Sequence, residues 1–164
     1  MAKPRPHPRN AARAWQIRNL HPDLRVSPKS LRLFWRAMGV LPGAHPPDGD
    51  ISLALMTDGE LAEIHAKFLD DPTPTDVITF PGTDDGELAG EICVSAERAA
   101  IESAKRKRPF AHELTLYIVH GWLHLAGMDD LTAPGRRAMR RGEKIAMRHL
   151  QNHRAIPDFR LVGK

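Results

Sequence analysis

The chain has 164 residues, a length that suits one domain able to bury about 68–70% of the surface its unfolded form exposes, without covalent staples. Cys93 is the only cysteine, which excludes an intrachain disulfide and points to a reducing, cytoplasmic setting; no apolar run approaches the ~18 residues of a membrane span. Lys and Arg outnumber Asp and Glu 24 to 20, a balance that suits a polyanionic partner without naming one.

Residues 1–14 carry Lys3, Arg5, Arg9 and Arg13 among three prolines with no apolar periodicity, the pattern of a flexible basic arm. "WQIRNL" then alternates like a strand. Ser27 and Pro28 read as the N-cap and first residue of a helix in which Leu31, Phe34, Trp35 and Met38 recur at helical spacing. Gly39 closes it, and Lys29, Arg32 and Arg36 mark the opposite side. After the Pro/Gly-rich link "LPGAHPPDGD", "ISLALM" alternates like a half-buried strand, and Thr57 with Glu60 forms a capping-box pattern for a helix reaching about Leu69.

"DVITFPG" and "GEICVS" are β-branched runs joined by "TDDGELA", the pattern of a hairpin. Ser95 caps a further helix that runs into "KRKR" at 105–108 and stops before Pro109. "HELTLYIVHGWLHLAG" reads as a largely buried helix. "TAPGRRAMRRGEKIAMRHLQ" reads as a final amphipathic one, with Met139, Gly142, Ile145, Ala146 and Leu150 as its apolar side. The order β, α, β, α, β, β, α, α, α predicts an α/β (α+β) fold: a mixed sheet of about four strands covered by helices, with at least one parallel crossover and a metal-site helix near the C-terminus. The expected organisation is a basic arm at 1–14, one domain at 15–150 and an unassigned tail at 151–164.

The chemistry concentrates in "HGWLHLAGMDD", residues 120–130. Residues four apart stand over one another on a helix, so His120 and His124 aim at one point. Gly127 can end the helix with positive φ and turn the chain back, bringing Asp129 or Asp130 toward that point. The pattern H-x-x-x-H-x-x-G-x-x-D puts Asp130 in the third-ligand place, with Asp129 its rival. Three protein ligands with an open position are a catalytic rather than a structural arrangement, and a His₂-carboxylate set suits one zinc per chain. Metzincin proteases share the spacing but begin H-E-x-x-H, and Gly121 stands where their glutamate would act as general base. A protease is therefore disfavoured, whereas a phosphodiester, whose charge a metal neutralises, fits. Bound metal can draw a water pKa toward about 7 without a neighbouring base; attack by the ribose 2′-hydroxyl is the rival route.

These residues resemble the YbeY family of bacterial single-strand-specific endoribonucleases of ribosomal RNA maturation. The resemblance runs from about Ile51 to Leu150, on "PTDVITFPG" at 74–82, "GEICVS" at 90–95, "HEL" at 112–114 and "HGWLHLAGMDD". It implies a zinc-dependent hydrolase cutting single-stranded or ribosomal RNA at or near the small ribosomal subunit, with a role at the 3′ end of small-subunit RNA. Two residues depart from the family pattern. Asp130 stands for a third histidine, and its charge weakens Lewis acidity and raises the pKa of a bound water. Leu69 falls where an arginine often stands, and Lys67 is the nearest cation to take over phosphate binding. A ribosome-associated assembly factor with a mainly structural zinc is the alternative from another class.

Arg136, Arg140, Lys144 and Arg148 fall at four-residue steps and form one basic helix face, either an RNA contact or a solvated surface. Glu113, two turns before His120, either orients that ligand or supports the first turn of its helix. Asp76 either faces the site or caps a loop. Cys93, Phe34, Trp35 and Trp122 read as packing.

Overall fold

A computed structural model describes residues 14–70, 73–83 and 87–163; the basic arm, apart from Ala14, lies outside the described residues. In chain order the elements are β1 (Trp15–Asn19), β2 (Leu24–Arg25), α1 (Pro28–Gly39), β3 (Asp50–Met56), α2 (Asp58–Leu69), β4 (Val77–Pro81) and β5 (Leu88–Ser95). They continue as α3 (Ala96–Arg106), α4 (Phe110–Leu125), α5 (Ala133–Asn152) and β6 (Arg160–Leu161). The main sheet has the order β1-β3-β5-β4; β1, β3 and β5 run parallel, and β4 pairs antiparallel with β5 at the edge. The fold is thus α/β with a mixed four-stranded sheet covered by helices.

Ser27, Thr57 and Ser95 cap helices as their sequence patterns predict, and Thr132 adds a fourth cap. Ser27, Ser95 and Thr132 each accept a hydrogen bond from the backbone N–H three residues on, and Thr57 with Glu60 completes a reciprocal capping box. Such caps each contribute about 1 kcal/mol by satisfying donors that a helix start leaves open.

Strand β3 departs from a half-buried strand: Leu53, Ala54, Leu55 and Met56 are all buried. The physical reason is that both faces are covered there. Ile51, Leu53 and Leu55 join Ile92 and Val94 in the larger core, with Leu114, Ile118 and Trp122 of α4. On the other face, Ala54, Met56, Ile78 and Cys93 meet Leu61 of α2 in a smaller cluster. Trp15 stacks between Trp35 and Trp122, at 3.8 and 5.1 Å between ring centroids, so the tryptophans are packing residues.

The stretch after α5 is ordered against the domain. Phe159 is buried, β6 pairs antiparallel with β2, and Asp158 accepts from the backbone N–H of Ser27 at the start of α1. Ile145 is the exception on α5: it is 55% exposed, and Met147 takes the buried position instead.

Candidate metal centre

Helix α4 runs across the sheet with Gly121 against it. A Cβ built at Gly121 would lie 2.6 Å from Ile92 Cγ2 and 3.1 Å from Thr79 Cγ2, so only glycine lets the helix approach β5 and β4 so closely. A glutamate there would meet the sheet rather than a substrate. The next residues on the exposed side, His120 and His124, are one turn apart and partly buried.

Gly127 has φ +89°, and the N–H groups of Gly127 and Met128 return to the carbonyls of His124 and Leu123. This left-handed residue ends α4 and reverses the chain. Asp130 is carried back to the histidines: its Oδ2 lies 3.6 Å from His120 Nε2, and its Oδ1 lies 3.8 Å from His124 Nε2. One donor atom from each of the three residues falls within 4.8 Å of the others. Asp129 is spent on the turn, where its Oδ1 accepts from Leu131 N at 2.6 Å.

Both imidazoles are oriented by acceptors. His120 Nδ1 lies 2.7 Å from Glu143 Oε1, and His124 Nδ1 lies 2.9 Å from the carbonyl of Met128. Neither oxygen of these two can donate when Glu143 is ionised, so each Nδ1 carries the proton and each Nε2 is left facing the other, 2.9 Å away. Burial draws the His120 pKa down, but the hydrogen bond to Glu143 and the charges of Glu143, Asp76 and Asp130 outweigh it and hold that pKa above its ordinary value of 6.5. Two nitrogen lone pairs and a carboxylate converging on one point are a donor set for a cation, and the protonated Nδ1 atoms fit it.

Glu143 is a partner that helical spacing around His120 does not reveal. It is the only acid in α5, among six Lys and Arg residues, and that isolation is the one signal the sequence offers. Glu113 does not reach His120: it is fully buried, and Arg106 Nη1 donates to its Oε1 at 2.6 Å. Asp76 Oδ1 accepts from the N–H of Val77, a local turn contact, yet its charge still bears on His120. Cys93 is buried in the sheet, and burial, with Glu91 nearby, pushes its thiol up to about 12, which removes it as a thiolate ligand.

The remaining residues expected to bind substrate divide. Arg136 Nη1 donates to the carbonyls of Leu131, at 2.8 Å, and Asp130, at 3.3 Å, so it clamps the loop that carries the third donor. Lys67 sits 5.3 Å over the Phe68 ring, which packs edge-on against Phe80 of β4. Arg140 and Lys144 line a cavity beside Glu143. A second cavity, of about 560 Å³, opens beside His124 along the β4 edge, between Thr79, Pro81, Gly82, Thr83 and Asp48.

The family model described as Endoribonuclease YbeY matches residues 30–151, from α1 through α5. The chain belongs to the YbeY family. The Endoribonuclease YbeY of Rhodopirellula baltica is 37% identical over 103 residues, which are 61% of this chain and 53% of that protein. The Endoribonuclease YbeY of Carboxydothermus hydrogenoformans is 29% identical over 131 residues, 79% of this chain and 92% of that one. The chain thus spans about half the length of the first relative and nearly all of the second. The solution structure of TM1509 from Thermotoga maritima superposes with a TM-score of 0.59 at 25% identity, covering 85% of this chain and 93% of that one. The family match contains the whole donor set, Glu143 included. Among the described residues, no helix is long and apolar enough to cross a membrane.

Proposed function

We propose that this chain is a zinc-dependent, single-strand-specific endoribonuclease that acts in the cytoplasm on ribosomal RNA, at the 3′ end of the small-subunit RNA. The observation that carries the proposal is the pair of imidazoles whose Nδ1 atoms are both held by protein oxygens while their Nε2 atoms converge with Asp130. Family membership supports the reaction class. His120, His124 and Asp130 are the proposed ligands of one zinc per chain, a His₂-carboxylate set without thiolate. When bound, that ion supplies a Lewis-acid charge for a phosphoryl oxygen and an activated water.

The chain's own groups do the rest. Glu143 and the Met128 carbonyl accept from the Nδ1 atoms and so fix the tautomer in which each neutral ring turns its Nε2 lone pair toward the site. Arg136 fixes the Asp130 loop through two backbone carbonyls. The cavity along the β4 edge gives a strand of RNA access to the donor set from the His124 side. Gly121 argues against a protease, since α4 packs too closely on Ile92 and Thr79 for a glutamate to serve there.

The test is metal analysis of the purified protein paired with cleavage of single-stranded RNA. One zinc per chain and cleavage, both lost in the His120→Ala, His124→Ala double variant, are the expected results. Zinc stoichiometry that survives that change removes the site. Zinc-loaded protein that cleaves no faster than the double variant moves the assignment to a ribosome-assembly factor.

A further inference from the structure

Between the start of α4 and the length of α5 lies an open cavity of about 570 Å³, lined in part by Glu143, the partner of His120. Its volume falls within the roughly 300–1,000 Å³ of pockets that hold ligands. Arg108, Arg140, Lys144 and Arg148 line it together with His112, and Glu143 is its only carboxylate. Glu143 is already engaged by His120, and among the described residues the four cationic side chains make no ion pair or hydrogen bond.

Sequence spacing alone leaves a basic helix face as either an RNA contact or a solvated surface. The cavity differs in that its charges come from two elements. Arg108 is brought in by the turn after α3, where Lys107 takes a left-handed conformation with φ 53°, while the others come from α5. Within the "KRKR" run, Lys105 and Arg106 are tied to Glu102 and Glu113, which leaves Arg108 for the cavity. Leu116, Met147 and Pro109 give the cavity apolar walls, and a concave, partly apolar wall focuses the field of the cations that line it.

Two further features border the cavity. His112 lines its wall half-buried, with an Nδ1 that has no hydrogen-bond partner. The α4 start is capped by Pro109, which offers no side-chain hydrogen bond, and the acid in its first turn, Glu113, is engaged by Arg106.

We infer that the α4–α5 cavity is a phosphate subsite for the RNA backbone, holding a phosphodiester that flanks the bond at the metal centre. The inference rests on the ribonuclease reading for the identity of the strand. Arginine forks match phosphate oxygens, and the sharing of Glu143 puts the subsite next to His120.

The test uses the full chain and a labelled single-stranded RNA oligonucleotide, with anisotropy titrations across salt concentrations and a chelator present to stop cleavage. Arg108→Gln with Arg148→Gln, and separately Arg140→Gln with Lys144→Gln, are compared with Arg137→Gln and Arg141→Gln, exposed α5 residues outside the cavity. Each cavity pair is expected to weaken binding about tenfold or more and to reduce the salt slope by about 0.7 for each phosphate no longer neutralised, with the outside pair close to the parent protein. Equal losses in all three pairs, or none in the cavity pairs, overturn the subsite. Poly-glutamate that competes with RNA on the parent protein and loses potency on the cavity variants would instead make the occupant an acidic protein segment. Cleavage by the metal-loaded protein is read separately. RNA binding through the cavity without cleavage overturns the ribonuclease reading alone, and cleavage with unaltered binding in the cavity variants overturns the subsite alone.

Discussion

The two ends of α4 handle ionisable groups in opposite ways. Near the N-terminus, Glu113 is wholly buried with one counter-charge, Arg106, which also reaches Glu102, and its second oxygen has no partner among the described residues. Near the C-terminus, the His120 and His124 side chains keep 21% and 26% of their exposure, with Nδ1 tethered and Nε2 turned toward a carboxylate. A buried charge must carry its compensation with it, so the first end is committed to the fold. Acceptor atoms gathered at an accessible point call for a cation from outside, so the second end is available for chemistry.

Removing the counter-charge at the first end has the largest expected effect on stability. Arg106→Ala leaves the Glu113 carboxylate buried and unpaired, at a cost of about 3 kcal/mol, the lower part of the range for such a break because Arg106 is itself about half exposed. At roughly 2–4 °C per kcal/mol, calorimetry should show Tm falling by about 6–12 °C, with zinc affinity unchanged. A loss below about 1 kcal/mol would erase the distinction between the two ends.

Glu143→Ala makes the converse change. Zinc titration should show affinity reduced about tenfold to a hundredfold, which is about 1.4–2.7 kcal/mol, because His120 loses the acceptor that fixes its ring and its tautomer. The chelated variant should lose much less stability than Arg106→Ala. Gly127→Ala is expected to cost about 1–2 kcal/mol in urea unfolding, since the residue must keep φ +89° although nothing crowds the added methyl. Zinc affinity should fall with it if the reversal is what delivers Asp130.

The smallest effect is the pH dependence of the chelated protein. The folded His120 holds its proton above the ordinary 6.5, so between that value and the raised pKa the native state binds more protons than the unfolded one. The resulting stability is fully present below 6.5 and is lost as pH rises through the raised value. Urea midpoints at about pH 6, 7 and 8 should show this decline, and Glu143→Gln should flatten it. A decline as steep in Glu143→Gln as in the parent would separate His120 from its carboxylate partner.

Most elements were legible because their signals are local. Ser27, Thr57 and Ser95 stand three residues before the N–H groups they cap, and the larger core alternates along β3. The coverage of β3 on its second face was not legible, because α2 reaches it only in the folded sheet. Residues 24–25 and 160–161 are too short to show a period, and their pairing spans most of the chain.

In the site, the sequence by itself determined the His120–His124 spacing, the need for a left-handed residue at Gly127 and the offset of Asp130, since each lies within a turn or two of the next. Tertiary structure decided between Asp129 and Asp130 for position beside the histidines, gave Glu143 rather than Glu113 to His120, and turned Arg136 onto the loop. It also joined Arg108 to Arg140, Lys144 and Arg148 around one cavity. Those outcomes depend on how α4 and α5 pack and on where the loops between helices bring side chains. Spacing along a helix fixes direction over a few residues, but it carries no information about which distant element will occupy that direction.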